Sequence, residues 1–152
     1  MLKTGLSAVA LLFATGAQAQ KADEFRLIGS SDDVVVLAST LVTGPKTERR
    51  MTEILVRRER SDTGADSYVI EAIMDCVAGT LAVGDVKVYQ ADQVINRIPR
   101  GAANVSKPEE GSVASQVYQY GCTGVSDLPD DARPVGVLAA IAYGRKYQGL
   151  ED

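Results

Sequence analysis

The chain predicts an α+β domain. Short apolar and β-branched runs fill the stretch from Phe25 to Ile98. Turn residues break them at short intervals, and two segments with helical spacing follow.

The chain opens on a segment that reads as a signal peptide over residues 1–19. Met1-Leu2-Lys3 is a short positive region. Leu6 to Ala14 is apolar apart from Ser7, and Ala17-Gln18-Ala19 fits a small-x-small cleavage site. The run is shorter than the roughly 20 residues that span a bilayer. Cleavage after Ala19 starts the mature chain at Gln20 and leaves residues 20–152 as one domain. No Cys stands at that junction, so the mature protein is expected in the periplasm or secreted, without a lipid anchor.

Strands follow in order. Phe25 to Gly29 is the first, and Asp32-Asp33 turns the chain into the apolar run Val34 to Ala38. Thr43-Gly44-Pro45-Lys46 breaks the pattern. Arg50 to Glu59 alternates as a third strand, with Thr52, Ile54 and Val56 on one face and Met51 and Leu55 on the other. Ser61 to Asp66 is a turn. In Ser67 to Cys76, residues Tyr68, Ile70, Ala72, Met74 and Cys76 share a face. Thr80 to Gln90 has strand composition, and Gly84-Asp85 inside it is either a bulge or the tip of a tight hairpin. Ala91-Asp92 turns into Val94 to Ile98, and Pro99 to Gly111 is a loop.

Two helix candidates close the chain. Ser112 can cap the first, with Glu109 and Glu110 near its positive end. Val113, Val117 and Tyr120 follow helical spacing, and Gly121 can stop it. Its β-branched and aromatic content also permits a strand. The second runs from about Pro134 to Tyr143. Pro134 suits the first helical position, and Gly144-Arg145-Lys146 suits the C-terminal end. Val135, Leu138 and Ala142 are expected to face the core.

Composition narrows the function. Twenty acidic against sixteen basic residues leave a net charge of −4, which disfavours nucleic acid as a partner. No later segment is apolar for long enough to cross a membrane. Both cysteines, Cys76 and Cys122, lie in the exported part. With no Cys-x-x-Cys to suggest redox chemistry, a structural disulfide is expected. It would be worth roughly 4 kcal/mol in the chain-entropy account.

The chain has no His. That removes the usual general base, the Ser/His/Asp triad and His-ligated metals. No phosphate-binding Gly-rich loop or Ca²⁺ loop is present, so no cofactor or metal is expected. Asp62-Thr63-Gly64-Ala65 matches the short aspartic-protease signature. It follows Arg57-Arg58-Glu59-Arg60-Ser61, though, and reads as a solvated turn without a second copy. Asp32-Asp33, Glu109-Glu110 and Asp130-Asp131 read as turn or capping residues. Arg49, Arg50, Arg57, Arg58 and Arg60 gather on and around one strand. By parity Arg50, Arg58 and Arg60 share a face, a candidate patch for an acidic protein or polymer. The alternative is a solvated strand end whose charges discourage aggregation.

The order of these features resembles the surface-adhesin protein E-like domains of Gram-negative bacteria, from about Phe25 to Cys122. The resemblance rests on Phe25-Arg26-Leu27-Ile28-Gly29, a doubled acidic turn and Val34-Val35-Val36-Leu37. It continues through a strand ending in Asp75-Cys76, Tyr89 before a turn and Val94-Ile95, and Gly111-Ser112-Val113 leading to Cys122. It implies an antiparallel sheet of about six strands, with Ser112 to Tyr120 helical and held on the sheet by the disulfide. It also implies adhesion. The family's namesake is a lipoprotein that binds host matrix and serum proteins, whereas this chain lacks the lipidation Cys. The expected function is a non-enzymatic binding domain for an unidentified macromolecule. The alternatives are an assembly partner of another envelope protein and an Asp62-dependent protease.

Overall fold

The structure is a computed structural model, and it describes residues 22–101 and 105–150. Six strands form one antiparallel sheet in chain order: β1 (Phe25–Ser30), β2 (Val34–Ser39), β3 (Arg49–Arg57), β4 (Ser67–Asp75), β5 (Thr80–Gln90) and β6 (Gln93–Ile98). Helices α1 (Val113–Thr123) and α2 (Val137–Tyr147) follow. The α+β class, the six antiparallel strands and the disulfide-tethered helix are as expected. The signal peptide and the mature start at Gln20 lie outside the described residues.

The two helices pack on opposite faces of the sheet. Side chains alternate across a strand. On β2, Val35 and Leu37 join the cluster around Ala140 and Ile141 of α2, while Val36 and Ala38 join the cluster around Val117 and Tyr120 of α1. This explains why β2 is apolar from Val34 to Ala38: a strand covered on both faces has no solvent face to keep polar.

Each strand ends for a local reason. β3 stops at Arg57, two residues before the expected Glu59. The Arg57 N–H donates to the Asp66 carbonyl and the Arg58 N–H to the Asp33 carbonyl, both at 2.8 Å, which turns the chain out of the ladder. β4 stops at Asp75, whose Oδ1 accepts from the N–H groups of Val77 (2.9 Å) and Ala78 (2.8 Å). β5 is one long strand with a bulge. Ile70 pairs with Val86 but Ala72 pairs with Val83, so the extra residue falls at Gly84-Asp85. A Cβ on Gly84 would strike the Glu71 carboxylate.

α1 is capped as expected, with Ser112 Oγ accepting from the Ser115 N–H at 3.1 Å. Gly121 does not stop it. The helix runs on to Thr123 and closes on Gly124 in the left-handed conformation (φ 73°), whose N–H donates to the Tyr120 carbonyl. Gly121 is instead buried, and a Cβ there would strike Met74 Sδ. Cys122 is bonded to Cys76, with a Cα–Cα distance of 5.7 Å.

α2 corrects two expectations. It begins at Val137 rather than Pro134, because the preceding segment is held by β1: Phe25 donates to the Pro134 carbonyl, and Gly136 donates to the Asp23 carbonyl. Its buried face is Ala140, Ile141 and Gly144, while Val135, Leu138 and Ala142 are exposed. Small residues let the helix sit close, and a Cβ on Gly144 would meet Val56 and Leu37.

Candidate interaction surface

The structure separates the arginines that parity groups together. Arg50 lies near the start of β3, on the α2 side with Ile54 and Val56. Arg58 and Arg60 lie beyond the strand's far end. Eight residues of extended chain between Arg50 and Arg58 span about 26 Å. Arg50 Nη1 donates to Glu71 at 2.8 Å and its Nε donates to Glu48 at 3.0 Å. The hydrogen bond from Arg50, then its charge, lowers the Glu48 carboxyl from its ordinary value. Arg58 is exposed, and Arg60 Nε lies 3.6 Å from Asp66. The three guanidiniums do not meet in one patch.

Asp62-Thr63-Gly64 forms the exposed turn between β3 and β4. The buried carboxylate of this region is Asp66, which the motif does not include. Asp66 is buried and accepts from Arg145 Nη2 (2.7 Å), the Ala91 N–H (2.9 Å) and Ser67 Oγ (2.9 Å). Burial pushes its carboxyl up, but these donors outweigh burial and hold it below the usual aspartate value. Arg145 also donates to the Ala91 carbonyl at 3.0 Å. Ala91 sits in the two-residue β5–β6 turn at φ 55°. One buried ion pair therefore joins α2, the β3–β4 turn and the β5–β6 turn.

The two sheet edges differ. The β1 edge is met by its own chain at its N-terminal end: Glu24 bridges Val135, the Phe25 N–H donates to the Pro134 carbonyl at 2.9 Å, and Arg26 Nη2 donates to the Leu128 carbonyl at 3.2 Å. The β6 edge is open. All six residues of β6 are exposed, and its ladder bonds run only to β5. Val94, Ile95 and Ile98 present apolar surface there, at 38%, 42% and 51% exposure. Such an edge offers unpaired backbone N–H and C=O groups to another strand. Ile95 is a bulge residue, left over between the pairs Val88–Asn96 and Tyr89–Val94. Arg97 stands directly opposite Lys87, and among the described residues neither is in an ion pair.

On the α1 side this edge continues inward. Ile98 pairs with Val86, which pairs with Ile70. Beside that row is an open depression of about 470 Å³, with Val34, Leu55 and Tyr68 on its floor and Asp33, Arg57 and Glu59 at its rim. Among the described residues no group of acidic or sulfur side chains could hold a metal ion, and no helix is long and apolar enough to cross a membrane.

Comparison with protein families, with curated proteins and with solved structures returns no match to the chain. The site therefore rests on its own geometry. Sequence reasoning passed over the β6 edge and over Asp66 with Arg145. Only the apolar Val94-Ile95 pair in a short terminal strand hinted at the first.

Proposed function

We propose that this chain is an exported, non-enzymatic binding domain that docks an extended segment of a protein partner along β6. The observation that carries the reading is the β6 edge, exposed on both faces and bearing apolar Val94, Ile95 and Ile98, whereas the β1 edge is bridged at its N-terminal end by the chain's own Val135 segment. Added strands gain main-chain hydrogen bonds from such an edge, and pockets for alternate side chains add specificity. Lys87 and Arg97 face each other without an acid, so a partner segment with Asp or Glu at that register relieves the like-charge pair. The bulge at Ile95 and the two cations also discourage indiscriminate edge pairing.

Three further facts support binding over catalysis and export over retention. The chain has no His, and Asp62 sits in an exposed turn. A disulfide between Cys76 and Cys122 suits an oxidising compartment. The resemblance to surface-adhesin protein E-like domains points the same way, and the periplasm or the medium is the proposed location.

The test is capture of partners from periplasmic extract and from matrix proteins on the immobilised, oxidised domain. Ile95→Lys with Ile98→Lys is expected to lose the captured protein while keeping the thermal midpoint. Arg50→Ser with Arg58→Ser and Arg60→Ser is expected to keep it. Capture that survives the β6 changes but fails in the Arg variant overturns the edge assignment. Asp62-dependent turnover of a peptide overturns the binding reading itself.

A further inference from the structure

Glu53 occupies the middle of β3, opposite Ala38 on β2 and Ile70 on β4. Met51 and Leu55, its neighbours on the same face, belong with Ala38 to the apolar cluster under α1. Glu53 is only 8% exposed. Glu53 thus sits among apolar residues on the face of the sheet that α1 covers, where a charge is costly to place.

Among the described residues no neighbouring element brings a compensating group. α1 carries no charged residue, and its titratable groups are Tyr118 and Tyr120. Burial raises the Tyr120 hydroxyl, and the charges that act on it are Arg26, Arg133 and Asp130. On β1, Arg26 is held by the Leu128 carbonyl and by Asp130 at 3.6 Å. β2 carries no charge. Arg49 and Arg57 share the face on β3, each four residues away, or about 13 Å. On β4 the nearest titratable group is Tyr68, paired with Leu55 in the next row. Val86 and Val88 of β5 are uncharged, and Lys87 between them points to the other face. Burial alone acts on the Glu53 carboxyl and pushes it up to about 7.

We propose that Glu53 and α1 form a pH-sensitive latch, in which the protonated carboxyl lets α1 lie on the sheet and the ionised carboxyl favours its release. The Cys76–Cys122 bond keeps the C-terminal end of α1 attached in both states. Release uncovers Ile28, Val36, Met51 and Met74, an apolar strip beside Leu55 and Tyr68. The sign follows from linkage. With α1 released Glu53 titrates near its ordinary 4.5, and with α1 docked it titrates at about 7. Docking is therefore strongest below pH 4.5, weakens as pH rises to 7, and changes little above that.

Hydrogen exchange on the full, oxidised mature domain tests the latch between pH 4 and 8, with intrinsic rates divided out. The opening equilibrium of the α1 amides is expected to rise by about two orders of magnitude over that range, as a shift of this size requires. In Glu53→Gln, and in Glu53→Met as a second non-titrating variant, it is expected to stay flat. α1 amides are also expected to open more readily than those of β3 and β4 at every pH. Equal pH dependence in wild type and both variants overturns the latch. So does α1 exchange that matches β3 and β4 throughout, because release would then be global unfolding.

Discussion

Two buried carboxyls in one small domain show how surroundings set a residue's role. Glu53 and Asp66 are both nearly inaccessible, yet their titrations move in opposite directions. Glu53 has only burial. Asp66 has burial opposed by a guanidinium, a hydroxyl and a backbone N–H. Replacing Glu53 by Gln should therefore stabilise the domain by up to about 3 kcal/mol at pH 8 relative to its effect at pH 4, where both chains are neutral at that site. Urea unfolding at the two pH values reads the difference, and a gain independent of pH would contradict it. Asp66→Ala should instead cost about 3 kcal/mol at pH 7, because it strands Arg145 in a partly buried site. Since Asp66 is held below its ordinary 3.8, that contribution persists above 3.8 and is lost as pH falls below it. The two variants thus separate along opposite ends of the pH scale.

At the scale of elements, both helices use a glycine for close approach, but against different neighbours. Gly144 faces Val56 and Leu37, and Val56 is β-branched with little freedom to move. Gly121 faces Met74, a flexible side chain. Alanine gains about 1 kcal/mol of helix propensity at either site. Gly144→Ala should still lose about 1–3 kcal/mol overall through overpacking, and Gly121→Ala should lose less. Thermal midpoints of the two variants give the order, and the reverse order would refute the packing argument. The disulfide is the other element-scale device. Cys76→Ser with Cys122→Ser should cost on the order of 2–5 kcal/mol in denaturant unfolding. Its loss should raise exchange of α1 amides more than those of α2, which the bond does not touch.

For the whole molecule, the arrangement is a sheet with a helix on each face, one edge bridged at its end by the chain itself and, among the described residues, one edge free. The core is concentrated in β1 to β4, where the helices lie, and it thins out toward β6. Fraying is therefore expected to concentrate at the β6 end. β6 amides should exchange fastest among the six strands in the free domain, and a docked partner strand should slow them specifically. Hydrogen exchange with and without the captured protein measures this, and protection confined to another edge would move the interface. The expected start of the mature chain is checked by intact mass of the protein recovered from a Gram-negative periplasm, where cleavage after Ala19 is predicted.

The strand set, the cap at Ser112 and the pairing of Cys76 with Cys122 are legible in the sequence. These are local or nearly forced: two-residue periodicity, a side-chain oxygen beside free helix N–H groups, and the only two thiols in the sequence. The choice between bulge and hairpin at Gly84-Asp85 was undecidable locally, because both need a permissive residue and only the β4 register distinguishes them. The buried face of α2 was misread for a related reason. Val135 and Leu138 are more apolar than Ala140 and Gly144, yet close helix–sheet packing selected those small residues together with Ile141. The arginine group came apart because parity holds only within a strand, and β3 ends at Arg57. Which helix covers which face, which edge stays open, and the burial of Glu53 without a partner among the described residues follow from the fold, since each depends on contacts between residues far apart in the chain.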